Sequence, residues 1–540
     1  MDKQWKKKLY EYSFSIITGV IILCMVLFCI LKPDNLMHSD TTAEVILSKL
    51  LAEENKLITT NWFYSTEIRI VYSHLLMVPL FKIFSSYRLV KFLSVFLFYI
   101  LMLVAYLFVS KRLEIKKKWA LIGLALFFSP LSNEYLDMMF IGCFYSSQAI
   151  CTYFILGTVA VWFMKKERIM NEGKKKSWFG VSFIATHIFS FILGLSGLRY
   201  LASLFLPMLL AVVWILFSEE EDLFQSNPKK KPWVMNLIYT LTILVCAGIG
   251  FLVNKFYLAT HYSFDTTSEV VFVPLSDVAE RFLESLKLMV EFFGYYPVEV
   301  VSGRGIVNVI KMALFAFFVG AIIYLFRHRM DKLNRLQRFL LYYFILVLLI
   351  NWYMLVFTEV LMQYRYWIPV YIIGVLLVSM FFQVFTPSIS WQKHVYGVCI
   401  GLAALSSLYG ELWQDAKYND CEKRYAYMEF LESQEYTFGY ATFWNASVTE
   451  YLSNGKMEVG NLGGKDGVSA PYEWLCKKDL YKDGYHMGKT FLLLARTEEA
   501  GMLKGDFTVM PDGVKVYEDE YYSIYEGTGM YLFSEENEIE

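Results

Sequence analysis

The sequence predicts an α-helical polytopic membrane protein of about eleven transmembrane helices. It adds two juxtamembrane helices in the first outer loop and a small extracytoplasmic C-terminal α/β domain. Three observations carry this reading. Mean hydropathy is +0.41, with 56% hydrophobic and 18% aromatic residues, far above a soluble average. Apolar runs long enough to cross a bilayer recur from residue 13 to residue 412. Connectors rich in Lys and Arg alternate with poor ones along that stretch.

The first span, 13–31, follows Lys3, Lys6, Lys7 and Lys8. Positive charge stays inside, so the N-terminus is expected in the cytoplasm and the next loop outside. The run is too long for a removable signal peptide and lacks a small-residue cleavage site, so it reads as a retained anchor. Further spans are expected at 89–109, 119–132, 145–164, 178–196, 201–218, 233–254, 305–326, 338–357, 367–386 and 395–412. The third is the shortest. Basic connectors at Lys111-Arg112 with Lys116-Lys117-Lys118, Lys165-Lys166-Arg168 with Lys174-Lys175-Lys176, Lys229-Lys230-Lys231, and Arg327, Arg329, Lys332 and Arg335 all fall on the N-terminal side. An odd number of crossings leaves the C-terminal region outside. The protein is therefore expected to be a multi-pass plasma-membrane protein.

The membrane domain is expected over 1–413, with outer loops at 32–88 and 255–304. Within the first loop, 41–57 and 70–84 read as surface helices joined by the turn-prone Thr59-Thr60-Asn61. Counting 70–84 as a crossing would put Lys116-Lys117-Lys118 outside, against the charge rule. Ala43, Ile46, Leu47 and Leu50 form one stripe of the first helix, with Glu44, Ser48 and Asn55 off it. In the second loop, 276–293 is amphipathic and opens on Ser276-Asp277 as a cap. From 414 to 540 the composition turns polar. Strands are expected at 436–442, 456–462, 490–495 and 521–525, and helices at 424–432, 448–452 and 498–503.

Several classes are excluded or weakened. A net charge of -1, without basic clusters interleaved with aromatics, argues against a nucleic-acid partner. No phosphate-binding G-x-x-x-x-G-K-[ST] loop, G-x-S-x-G or H-E-x-x-H motif occurs. Few charges lie mid-span, which weakens an ion-coupled transporter. Most of the eight cysteines lie in or beside apolar spans, where cysteine is usually a small core residue, and none has zinc-site spacing. Cys421 and Cys476 fall in the polar region, where the compartment would permit a disulfide.

The chemistry-bearing residues cluster on the outer side. In His38-Ser39-Asp40-Thr41-Thr42-Ala43-Glu44, the spacing of four sets Asp40 and Glu44 on one helix face. A carboxylate there can take a proton from an attacking hydroxyl. Thr41-x-x-Glu44 is also a capping box, which gives Glu44 a purely structural alternative and leaves Asp40 unassigned. His38 would order Asp40 or join it on a divalent metal, but no third ligand follows at regular spacing. Glu134 and Asp137, in another outer loop, would orient an acceptor or raise the pKa of Asp40; a solvated loop is the plain alternative. Arg199-Tyr200 and Tyr364-Arg365-Tyr366-Trp367 stand at outer helix ends. Arg199 and Arg365 match phosphate oxygens with planar donors, while the alternative is interfacial anchoring. Lys56, Arg69, Arg88 and Arg304 are further outer-face cations facing phosphate or headgroups. His187, alone in a span, reads as a satisfied buried histidine.

The chain resembles the GT-C superfamily of membrane glycosyltransferases, the class of protein O-mannosyltransferases and bacterial aminoarabinose transferases. The resemblance lies in a first span, an outer loop with an acidic motif and two juxtamembrane helices, many further spans and an outer C-terminal domain. It rests on Asp40-Thr41-Thr42-Ala43-Glu44, on Asn61-Trp62-Phe63-Tyr64-Ser65-Thr66-Glu67, and on Phe443-Trp444-Asn445-Ala446 with Leu452-Ser453-Asn454-Gly455-Lys456. Many members carry two adjacent acids in the first loop; here Ser39 precedes Asp40, so a second acid stays open between Glu44, Glu134 and Asp137. The resemblance implies inverting sugar transfer from a polyprenyl-phosphate donor to a cell-surface glycan or protein acceptor, with no nucleotide sugar needed outside the cell; no cofactor is expected beyond the divalent metal that His38 and Asp40 leave open. Asp40 would be the general base, and Arg199 or Arg365, with Tyr366 and Arg69 nearby, would hold the lipid phosphate. The competing readings are a glycan polymerase or lipid-linked oligosaccharide flippase, and a surface anchor whose outer domain binds glycan.

Overall fold

A computed structural model describes residues 3–66, 68–172, 177–218, 232–264, 271–387, 391–413, 421–465, 468–482, 484–502 and 513–528. The chain divides into two compact units. One comprises Met1–Leu31, Phe96–Lys255 and Glu269–Lys417; the other comprises Lys32–Val95, Phe256–Ser268 and Tyr418–Glu540.

The first unit is helical. Among the described residues of the whole chain, 9 helices are long and apolar enough to cross a membrane. The span expected at 119–132 corresponds to the 12-residue helix Lys117–Phe128, and the one expected at 178–196 to the helix Ser177–Gly194, of which Val181–Gly194 is an apolar part. The expected count of about eleven is therefore not established by length alone. Lys117–Phe128 rises only about 18 Å, short of a bilayer core. It is buried almost all round, from Trp119 to Phe128. Neighbouring helices cover it: Lys3–Leu31, Ile368–Val384 and Gln392–Leu408. Gly123 permits that approach, because a Cβ there would overlap the Tyr106 hydroxyl and the Val375 carbonyl. Beyond it, Ser132 caps the short helix Asn133–Leu136, which runs into a π turn at Asp137–Ile141. Edge-to-face rings then fill the core: Tyr371 packs on Tyr135, Phe292 and Phe293 at 5.3–5.6 Å.

The helix expected at 276–293 forms as Val278–Phe292. Asp277 occupies the N-cap position but makes no side-chain cap; Ser276 Oγ instead donates to Asp277 Oδ1 at 2.8 Å. The basic connectors at 174–176 and 229–231 lie outside the described residues.

The second unit holds the sheets. Its strands are β1 (Trp62–Tyr64), β2 (Ser263–Phe264), β3 (Phe438–Thr442), β4 (Glu458–Lys465), β5 (Val468–Pro471), β6 (Cys476–Lys477), β7 (Lys489–Ala495), β8 (Val514–Glu518) and β9 (Tyr522–Thr528). The main sheet has the order β5-β4-β3-β7-β9-β8. Its centre, β4-β3-β7, is parallel, and the outer pairs are antiparallel. A central parallel strand is buried on both faces, so β3 is buried at all five positions, including its polar end Thr442. Ala441, Phe491 and Leu493 face one core; Phe438, Tyr440, Leu492 and Leu494 face the other. All four strands expected beyond 414 are present within a few residues. The three helices form as Glu422–Ser433, Phe443–Leu452 and Arg496–Met502.

A smaller sheet, β2-β1-β6, joins three distant chain segments. Asn61 Oδ1 accepts from the Asp479 backbone N–H at 3.0 Å beside it. Cys421 and Cys476 are both buried, and no disulfide links them, although the compartment would permit one. The Cys476 sulfur lies 3.4 Å from the Tyr481 hydroxyl instead.

Candidate functional site

Asp40 sits in the first turn of the helix Ser39–Glu54, where a negative charge suits the helix dipole. The helix starts two residues before the expected Thr41 cap. His38 takes the N-cap position without a side-chain cap, and Glu44 does not reach back. The capping-box alternative for Glu44 is thus corrected. The reason is packing: hydroxyls at this helix start bond to a second helix rather than to their own backbone alone. Ser39 Oγ donates to the Phe443 carbonyl at 2.6 Å. Ser447 Oγ donates to the Ser39 carbonyl at 3.0 Å and accepts from Thr42 Oγ1 at 3.0 Å. Helix Ser39–Glu54 is therefore docked on helix Phe443–Leu452 of the α/β fold, and Asp40 is held at their junction.

Asp40 lines a cleft of about 600 Å³ together with Thr442, Phe443, Trp444, Tyr472, Trp474 and Glu498. Its side chain is 39% exposed, and His38 Nδ1 stands 4.0 Å from Oδ2. Among the described residues no group of three or more His, Cys, Asp or Glu able to hold a metal ion occurs.

Glu44 has a different environment. It is 7% exposed, and Ser73 Oγ donates to its Oε2 at 3.2 Å. Burial pushes its carboxyl up to about 7, against the opposing pull of Arg69, Ser73 and Lys91. The expected amphipathic split of this helix fails for the same reason, since Glu44 and Ser48 are buried along with the apolar stripe. Arg69 donates to the Tyr72 hydroxyl at 2.7 Å and lies 4.8 Å from that ring's centre. Arg88 is bonded to Asp34 at 2.7 and 3.1 Å, and Tyr425 donates to the same carboxylate at 2.8 Å.

The other predicted residues belong to the first unit. Arg199 and Tyr366 line one cavity of about 180 Å³, with Tyr145, Gln148 and Asn351. The Arg199 guanidinium lies over the Tyr145 ring at 4.7 Å. Ser203 Oγ accepts from Gln148 Nε2 at 2.8 Å and donates to the Arg199 carbonyl at 2.8 Å. Two buried polar atoms on this cavity, Gln148 Oε1 and Asn351 Nδ2, have no hydrogen-bond partner among the described residues. A buried amide donor beside a guanidinium favours an anionic oxygen. Arg365 instead faces Glu134, with Nη1 3.9 Å from Oε1. Asp137 ends the helix Asn133–Leu136 and is half-buried. His187 is satisfied, by the Phe183 carbonyl at 2.8 Å and Thr242 Oγ1 at 2.9 Å.

The structure brings Asp40, Glu44 and Arg69 into one unit, and Glu134, Arg365, Arg199 and Tyr366 into the other. Sequence reasoning missed Lys91, Ser73 and Asn351, and it singled out Phe443-Trp444 as a motif without placing it beside Asp40. Those partners lie far away in sequence, and no local pattern marks them.

No protein-family model matches the sequence, and no curated protein matches it. Solved structures do. ArnT from Cupriavidus metallidurans, bound to undecaprenyl phosphate, matches with a TM-score of 0.57 at 11% identity, covering 95% of this chain and 97% of that one. The oligosaccharyltransferase of Archaeoglobus fulgidus matches in its apo form with a TM-score of 0.46 at 14% identity, covering 85% and 65%. The ArnT likeness extends over nearly the full length of both chains, so this chain shares the fold of that structure.

Proposed function

We propose that this chain is a membrane glycosyltransferase that moves a sugar from a polyprenyl-phosphate donor to a cell-surface acceptor on the extracytoplasmic face. One observation carries the reading most: in a chain with this fold, the first-loop acid Asp40 opens onto a cleft while its neighbour Glu44 is buried. That difference supports Asp40 as the general base. It accepts the acceptor hydroxyl proton as the hydroxyl oxygen bonds to the anomeric carbon. The bond from that carbon to the phosphate oxygen breaks, and its electron pair leaves with the polyprenyl phosphate. Attack opposite the leaving group inverts the anomeric centre.

Arg199, Asn351 and Tyr366 are the residues best suited to hold the phosphate as its charge grows. Arg365 is the weaker candidate, because Glu134 already offsets its charge. The bond between the anomeric carbon and the phosphate oxygen carries the activation, so no nucleotide sugar is required outside the cell. Lys3, Lys6, Lys7 and Lys8 before the first span support a cytoplasmic N-terminus, with the 414–540 domain outside.

The test is donor class. The purified full chain, reconstituted in liposomes, is given labelled polyprenyl-phosphate sugar or labelled nucleotide sugar. Label should leave only the lipid-linked donor. Consumption of the nucleotide sugar alone would overturn the reading.

A further inference from the structure

The cleft at Asp40 holds more than a base needs. Its wall carries Trp444, 60% exposed, and Tyr472, 42% exposed, with Trp474 alongside. Large rings left open on a cleft wall mark a binding surface. These rings are also fixed. Buried Phe443 sits edge-on to both, 5.1 Å from Trp444 and 5.5 Å from Tyr472, with planes at 67° and 61°. Gly463 completes the seat, since a Cβ there would stand 3.2 Å from the Tyr472 ring.

The opposite chemistry lies in the same cleft. Glu498 accepts from Thr442 Oγ1 at 2.9 Å and from the Ala495 N–H at 3.2 Å, both on Oε2. Among the described residues, no hydrogen bond engages its other oxygen, which can accept from a ligand hydroxyl. Asp40 supplies a second carboxylate and Thr497 a hydroxyl. Flat apolar faces beside carboxylate acceptors match a pyranose, whose C–H faces lie on rings while its rim hydroxyls donate. A lipid tail would leave both carboxylates unmatched, at the cost of their desolvation.

We infer that this cleft is the acceptor subsite and that the acceptor is a carbohydrate chain. Its sugars stack on Trp444 and Tyr472 and donate to Glu498, which delivers one hydroxyl to Asp40. The assignment of that hydroxyl's fate rests on the transferase reading; the binding of saccharide does not.

The experiment uses the full chain in lipid nanodiscs. It is offered oligosaccharides released from the envelope of the cells that make it and, separately, a peptide digest of their envelope proteins. Oligosaccharide should be retained and peptide should not. Trp444→Ala should weaken oligosaccharide binding by about tenfold or more, as truncated aromatic anchors do. Trp444→Phe should restore part of it, with thermal unfolding unchanged in both variants. Retention of peptide alone, absence of saccharide binding, or equal binding by folded Trp444→Ala would overturn the subsite. Turnover of polyprenyl-phosphate sugar by the unmodified chain is read in parallel. Turnover without saccharide binding removes the subsite only; saccharide binding without turnover removes the transferase reading only.

Discussion

Replacing Glu44 with Gln tests whether burial, rather than capping, governs this residue. Moving a carboxyl from 4.5 to about 7 corresponds to about 3 kcal/mol in favour of the protonated form. The folded chain then holds the proton more tightly than the unfolded chain. That stability is present in full below about pH 4.5 and is lost as pH rises through about 7. Gln keeps the shape of the protonated acid and cannot ionise, so Glu44→Gln should not show this loss. Thermal unfolding of both proteins in detergent is followed from about pH 5 to 9. The variant should gain on the unmodified chain by up to about 3 kcal/mol across that range. Infrared difference spectra should show one carboxyl titrating near pH 7 in the unmodified chain and missing from the variant. Parallel stability profiles, with no such carboxyl, would refute the argument.

Two further outcomes follow from the geometry. Arg199→Lys keeps charge but loses the planar fork, so KM for the lipid-linked donor should rise in steady-state assays, while Arg365→Lys should matter less. Lys477 stands 3.5 Å from Glu450 and 2.7 Å from Glu458, and Glu450 is 2% exposed. Lys477→Met should cost about 3–5 kcal/mol by stranding a buried carboxylate, and Glu450→Gln in the same chain should recover much of it, read by denaturant unfolding of the full chain.

The spans were legible because a bilayer demands long apolar runs, and that demand is written locally. The span expected at 119–132 shows where the rule loosens. Lys117–Phe128 is covered by protein on almost every side, so apolarity reports burial as well as lipid contact. The strands beyond 414 were legible for a related reason, since buried parallel strands need continuous apolar residues. Asp40 stood out as an acid just beyond the first span, on the side that the charge rule assigns to the outside. The fate of Glu44 did not, because Ser73, Arg69 and Lys91 surround it from outside its own helix. Nor did the helix start at Ser39, whose partners Phe443 and Ser447 lie some four hundred residues away. Compartment alone suggested pairing Cys421 with Cys476; in the fold both are buried and no disulfide joins them.

The most direct measurement of the central claim is sugar transfer by Asp40→Asn in reconstituted membranes. The amide keeps the size of the side chain and removes its basicity. With normal insertion and unfolding, transfer should fall by about 10²–10⁴-fold while the lipid-linked donor still binds. Transfer at the unmodified rate by that folded variant would contradict the account.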